Sequence, residues 1–343
     1  MMDVREFARR MPKAELHVHL EGSIRPRTLL ELARRNGVGL PAQDEQSLLA
    51  FYRFRDFPHF VRVYETITRC LRTPEDYALI AHEFGADCAR QNVRYAEVTF
   101  TIATNVLSTG LPWQAILEAL NDGRGRARAE HGVDWRWVFD ISRDNPETQD
   151  MVLEIALAAR EQGVVALGLG GSEARFPPEL FTRPFLRALQ EGLGRVPHAG
   201  EMAGPCSIWA ALQVLHADRI GHGVRCIEDA DLVSYLREHR IPLEVCPTSN
   251  LRLGVFADYD AHPLRRLWDA GLVITVGSDD PPMFNTELNQ EYQVLVDHFG
   301  FDADALQEVS LNGLRASFLP QAAQGCLESA FRAEFARLRE STA

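Results

Sequence analysis

The chain has 343 residues, 46% hydrophobic and 24% charged, the balance of a soluble globular protein with a substantial core. Its 48 acidic against 36 basic residues leave a net charge of −12, which argues against a nucleic-acid partner, because that affinity rests on Lys and Arg neutralising phosphates. No apolar run reaches the about 18 residues of a membrane helix, the first ten residues lack a signal-peptide core, and the six cysteines form no C-x-x-C pair.

A reduced, cytoplasmic protein is therefore expected. The first predicted strand, 14–20, carries two histidines, His17 and His19. Residues i and i+2 of a strand share a face, so both imidazoles can converge on one ion. Taken alone, H-x-H more often means one core and one rim histidine. Residues 21–92 contain several helical stretches and the aromatic segment 51–60, read as an excursion over the barrel mouth that either packs between helices or covers a substrate. Further strands are predicted at 93–100, 133–141, 164–170, 195–198, 219–222, 242–247 and 272–278. Between them lie helical patterns, among them 148–162, 203–216, 229–239 and 263–270. The tail from Glu287 onward reads as helical and is expected to pack outside.

Eight strand–helix units imply an α/β fold, a (β/α)8 TIM barrel with additional helices after strand 1 and at the C-terminus. No Gly/Ser- or Pro-rich linker divides the sequence, so 1–343 is expected to form one domain. Barrel enzymes place their chemistry at the C-terminal ends of the strands. At those ends stand His17 and His19, Gly170-Gly171, His198 with Glu201, His222, and Asp279-Asp280. Three imidazoles and one carboxylate (His17, His19, His198, Asp279) suit a zinc ion with an open position. His222 adds a group able to handle a proton near neutral pH. The remaining histidines, His262 included, are expected on the surface or on helices, and Cys246 in the core. Glu173 is either a solvated charge or a brace for Glu201 or a ligand.

With these blocks in order, the sequence resembles the adenosine deaminase family of metal-dependent amidohydrolases. The matching segments are Lys13-Ala-Glu-Leu-His-Val-His-Leu-Glu-Gly-Ser23, Gly168-Leu-Gly-Gly-Ser-Glu173, His198-Ala-Gly-Glu201, Arg219-Ile-Gly-His-Gly223, Cys246-Pro-Thr-Ser-Asn250 and Ser278-Asp-Asp-Pro281. They span residues 11 to about 285. The resemblance implies one Zn2+ per subunit on His17, His19, His198 and Asp279. It implies Glu201 as a protonated acid at purine N1, His222 orienting or deprotonating the attacking water, and Asp279 accepting its hydrogen bond. Asp280 would bond N7 and the Gly171 N–H would bond N3. The implied reaction is hydrolytic deamination of a 6-aminopurine nucleoside, a small-molecule substrate, with release of ammonia.

Departures from the family pattern concern the far end of the substrate. Adenosine-specific members have Asp where this chain has Glu21, the residue expected near the 5′-hydroxyl, and Gly-Asp-Glu where it has Gly171-Ser-Glu173. Gly-Leu-Gly-Gly-Ser-Glu and Ser278-Asp-Asp-Pro-Pro-Met-Phe284 look like members acting on 6-aminodeoxyfutalosine, an adenosine-like menaquinone precursor with a carboxyphenyl ketone on its 5′ side. That compound is placed ahead of adenosine, with adenine third, and Arg175 is the expected partner of its carboxylate. The alternatives are an adenine deaminase, or a barrel that binds metal and nucleoside without turning it over.

Overall fold

A computed structural model describes residues 3–340. Eight parallel strands, Lys13–His19 (β1), Val93–Phe100 (β2), Asp134–Ser142 (β3), Val164–Gly170 (β4), Gly194–Ala199 (β5), Ile220–His222 (β6), Leu243–Val245 (β7) and Ile274–Val276 (β8), pair in the order β1 to β8. The order of the strands in the sheet is their order in the chain, as successive right-handed crossovers produce. Past β8 the chain returns to β1: Asp279 N–H donates to His17 O at 3.1 Å, and His19 N–H to Asp279 O at 2.9 Å. The turn carrying one expected ligand is thereby laced to the strand carrying two others.

The strands sit within two residues of their predicted limits, because Val, Ile, Phe and Trp runs are what a strand buried on both faces requires. Trp135, Trp137 and Phe139 of β3 are fully buried. Helices Pro205–Gln213, Ala230–Glu238 and Leu264–Asp269 follow strands 5 to 7 as expected. The predicted helix 148–162 is a helix Gln149–Ala158 flanked by 3-10 turns Pro146–Thr148 and Arg160–Gln162. Asn145 precedes Pro146 at its start, and Gly163, at φ +102°, ends it.

Helices Pro26–Arg35, Glu45–Phe51, Phe57–Thr68 and Pro74–Arg90 occupy the interval after β1. Three helices, Leu288–Phe299, Ala303–Ala316 and Gln321–Glu340, form the tail. The tail does more than coat the outside. Helix Ala303–Ala316 reaches the lower ends of β1 and β8, where Ser310 donates to Pro12 O and Asn312 to Ile274 O. Among the described residues no helix is long and apolar enough to cross a membrane.

Candidate active site

The barrel interior is ionic below the site. Arg219, just before β6, is fully buried, 2.6 Å from both Glu97 and Glu244. Its guanidinium lies over the Phe318 ring at 4.3 Å. A buried arginine holds its charge only with such partners. Glu244 of β7 carries the network upward, because its other oxygen accepts from His17 Nδ1 at 2.9 Å. That bond puts the proton of neutral His17 on Nδ1 and turns a bare Nε2 toward the barrel mouth.

Around that nitrogen the sequence-predicted residues gather. His17 Nε2 is 3.6 Å and His19 Nε2 3.4 Å from Asp279 Oδ1. Ring centres of His17 and His198 are 4.6 Å apart, those of His19 and His198 5.4 Å. His17 Nε2 is buried with no hydrogen-bond partner among the described residues. Burial drives His17 down, yet Asp279 and Glu244 more than offset this and hold it at about 10. The pocket thus favours positive charge at that nitrogen, which a proton or a metal ion can supply but not both. Gly221 makes this approach possible: a Cβ there would lie 2.8 Å from the His198 ring and 3.0 Å from that of His17.

His222 ends β6 at φ +59° and Asp279 stands at φ +62°, both in the left-handed region that costs a non-glycine residue energy. His222 Nε2 is 3.6 Å from Glu201 and 3.9 Å from Asp279 Oδ2. Its far side is fixed by a relay. Leu264 N–H donates to His262 Nδ1 (3.2 Å), His262 Nε2 to Asn250 Oδ1 (3.1 Å), and Asn250 Nδ2 to His222 Nδ1 (3.3 Å). Each donor fixes the next acceptor, so neutral His222 carries its hydrogen on Nε2, facing Glu201 and Asp279. Burial, and then the neighbouring His17, push His222 down to about 3, so it is neutral. His262 is accordingly buried and outside any helix, against the expected surface or helical position.

Glu201 sits on the turn after β5. Glu173 braces that turn: its Oε1 accepts from Gly200 N (2.5 Å), and its Oε2 from Glu201, Met202 and Ala203 N–H at 2.8–3.2 Å. Of the two readings of Glu173, the brace is the one the structure realises. Burial, then Asp279 and Glu173, hold the Glu201 carboxyl well above its usual range, the state of a proton donor. Asp280 is raised by burial and by Asp279 in the same direction. Ser249 Oγ donates to Asp279 Oδ2 at 2.6 Å, and Arg143 to the His198 carbonyl at 2.7 Å.

Of these groups His19, His198, Glu201, His222 and Asp279 line a cleft of about 700 Å³, counting the space open to solvent. Gly171 and Asp280 lie in its wall. Phe57, Phe60, Val61 and Tyr64 of helix Phe57–Thr68 cover it, with Phe60 stacked on Phe284 at 5.5 Å. The aromatic segment thus both packs and roofs the cleft.

Two expected substrate contacts are not brought to it. Glu21 is fully buried beneath the wall, with Oε1 accepting from Thr101 N–H (3.0 Å) and Asn105 Nδ2 (2.9 Å), and Oε2 from Tyr64 OH (3.2 Å). Its extra methylene carries the carboxylate into these donors. Arg175 is exposed, lies over its neighbour Phe176 at 5.0 Å, and does not line the cleft. A tight turn in which Arg175 N–H bonds Ser172 O aims it outward.

Several site residues went unread in the sequence. Glu244 and Arg219 were detectable as charges in otherwise apolar strands, which a barrel interior tolerates only as a paired network. Asp140, at the C-terminal end of β3, was detectable by the strand-end rule. Arg143 directly follows β3 and Asn250 ends the Cys246–Asn250 block, but neither position announced the bond that it makes.

The family model described as adenosine deaminase matches residues 12–332. An aminodeoxyfutalosine deaminase of Streptomyces avermitilis is 42% identical over 323 residues, covering 93% of this chain and 90% of the relative. An adenine deaminase of Cupriavidus necator is 38% identical over 316 residues, covering 92% and 90%. Among solved structures, an adenine deaminase from Arthrobacter aurescens superposes with a TM-score of 0.89 at 31% identity, covering 96% and 99%. An amidohydrolase from Burkholderia ambifaria with bound zinc gives 0.91 at 28% identity, covering 99% and 95%.

Proposed function

The chain belongs to the adenosine deaminase family and is a hydrolytic deaminase, and from that premise we propose that it acts, as one barrel domain, on a 6-aminopurine nucleoside. In this reading 6-aminodeoxyfutalosine stands ahead of adenosine, and adenine is third. The observation that supports a nucleoside is the lining of the cleft. Besides Glu201 and His222 it includes Gly171, Thr104, Asp144 and Asn145, polar groups beyond those that a bare base would engage. The 42% identity to an aminodeoxyfutalosine deaminase, against 38% to an adenine deaminase, supports the order.

The family's enzymes are metal-dependent, and the metal proposed here is one zinc ion per chain on His17, His19, His198 and Asp279. A bare, buried His17 Nε2 backed by Glu244 on Nδ1 is the arrangement of a metal-ligating histidine with its outer-shell carboxylate. Three nitrogens and one carboxylate oxygen suit zinc. When bound, zinc supplies a water acidic enough to attack near neutral pH.

The protein's residues do the rest. Glu201, kept protonated, donates to purine N1, and Asp280, also raised, donates to N7. Gly171 N–H serves N3. Together they draw electron density from the ring so that water oxygen can add at C6. His222 presents Nε2–H to that oxygen, which makes it an orienting donor rather than the base in its neutral state. Asp279 takes one proton from the water as its oxygen adds, and that proton passes to the amino nitrogen. The C6–N bond then breaks, ammonia leaves, the remaining hydroxyl proton returns to Glu201, and an oxo purine protonated at N1 remains. Zinc-loaded protein assayed on 6-aminodeoxyfutalosine, adenosine and adenine should show the highest kcat/KM on the first. A preference for free adenine would overturn the nucleoside assignment.

A further inference from the structure

Asp140 lines the cleft at the C-terminal end of β3, with Gly170 between it and the His198 ring. It is 5% exposed. Its Oδ1 has no hydrogen-bond partner among the described residues. A buried carboxylate oxygen without a donor is costly, and in a native site it calls for an explanation. The neighbouring strand makes room for this group. A Cβ at Gly168 would meet Asp140 Cβ at 2.9 Å, and one at Gly170 would meet Asp140 Oδ2 at 3.1 Å. Gly168 thus makes room for the side chain on the next strand, and Gly170 for its carboxylate.

Glu21, by contrast, has both oxygens engaged by Thr101, Asn105 and Tyr64 and lies outside the wall. Asp140 also has the Thr101 side chain beside it, and its Oδ1 is the carboxylate oxygen on this side of the cleft left without a donor among the described residues. Gly170 lies beside Asp140, and Gly171, the next residue, lies beside Asp144, whose oxygens are taken by the N–H and Oγ of Ser172. If the Gly171 N–H serves purine N3, Asp140 lies near the edge of the base from which the sugar departs.

We propose that Asp140 binds a secondary hydroxyl of the substrate ribose, so that this carboxylate, and not Glu21, reads the sugar. The inference rests on the nucleoside reading above. It also accounts for a substrate altered at its 5′ side, since the 2′- and 3′-hydroxyls are what such a compound shares with adenosine.

The test measures kcat/KM for wild type, Asp140→Ala and Asp140→Asn, all zinc-loaded, on adenosine, 2′-deoxyadenosine, 3′-deoxyadenosine and adenine. In wild type, removing one of the two hydroxyls should lower kcat/KM about 10- to 100-fold, the range for a hydrogen bond to a charged group. Asp140→Ala should lose a similar factor on adenosine and little on that deoxynucleoside. Asp140→Asn keeps the shape and a weaker acceptor, so it should show the same pattern with a smaller factor even where the alanine variant folds poorly. Equal losses on adenosine and both deoxynucleosides, in a wild type that accepts nucleosides, would overturn the Asp140 role and leave the nucleoside reading intact. A wild type that turns over adenine alone would overturn the nucleoside reading itself, and the sugar contact with it.

Discussion

The two walls of the cleft are built on different principles. On the metal-facing wall, formed by β1, β5, β6 and the turn after β8, most reactive groups are held from behind, although Asp280 Oδ1 is left without a partner among the described residues. Glu244 holds His17, Asn250 holds His222, Ser249 holds Asp279, Arg143 holds the His198 backbone, and Glu173 holds the turn of Glu201. On the other wall, at the ends of β3 and β4, glycines alternate with short polar residues and at least one carboxylate oxygen is left open. Bracing suits atoms that must be placed to a fraction of an ångström for chemistry. An open acceptor suits a wall whose partner arrives with the substrate. Fixed chemistry and adjustable recognition are thus assigned to separate strands of one barrel.

That contrast is sharpened first where loss should be greatest. Asp279→Ala removes a metal-facing oxygen and the carboxylate that closes the ring of His17 and His19. Activity should fall by more than the about 10- to 100-fold typical of an outer-shell change, with zinc content after dialysis falling in parallel. An active variant with full zinc content would remove Asp279 from the ligand set. Glu201→Gln comes next. It keeps the shape but cannot pass a proton to N1, so kcat should drop about 10²- to 10⁴-fold while zinc content stays at the wild-type level. Turnover near wild type would end the assignment of Glu201 as the acid.

The asymmetry also explains what the sequence revealed. The metal-facing wall was legible because its residues sit at strand ends and in short blocks: His17 and His19 two apart, His198 and Glu201 three apart, Asp279 and Asp280 adjacent. Such spacings translate directly into shared faces and turns. Strand limits were legible for the same reason, since β-branched and aromatic runs leave few other options. The wall at the ends of β3 and β4 was not legible. Whether Glu21 reaches the cleft depends on Thr101 and Asn105, about 80 residues away in the chain. Whether Asp140 has room depends on glycines of the neighbouring strand. Contacts of that kind are properties of the packed barrel, and no local pattern announces them. His262 was misplaced likewise, because its burial comes from Asn250 and the helices around it.

Glu244→Gln separates the two kinds of construction within the braced wall. The amide keeps the volume but carries no charge to hold the Nδ1 proton of His17 or to balance Arg219. Zinc affinity should weaken about 10- to 100-fold, read by competition with a chelator, and kcat at saturating zinc should change far less. A loss of kcat that added zinc does not repair would mean that Glu244 matters to the reaction beyond placing His17.

The smallest effect is expected at Arg175, which stands two residues after the brace Glu173 and four after Gly171. Sequence position made it the natural partner for a substrate carboxylate. The structure aims it outward over Phe176, exposed and outside the cleft wall. An exposed guanidinium gains little from a distant anion, because solvent and salt screen the pair within about 8–10 Å. Arg175→Ala should therefore leave kcat/KM on adenosine within about twofold of wild type, as surface changes usually do. On 6-aminodeoxyfutalosine the same variant should also stay within that range, and the ratio of the two values decides the matter. A selective loss on the carboxylate-bearing substrate would show that the turn at 172–176 folds inward when that substrate binds, and the adjustable wall would then extend past Asp140 to Arg175.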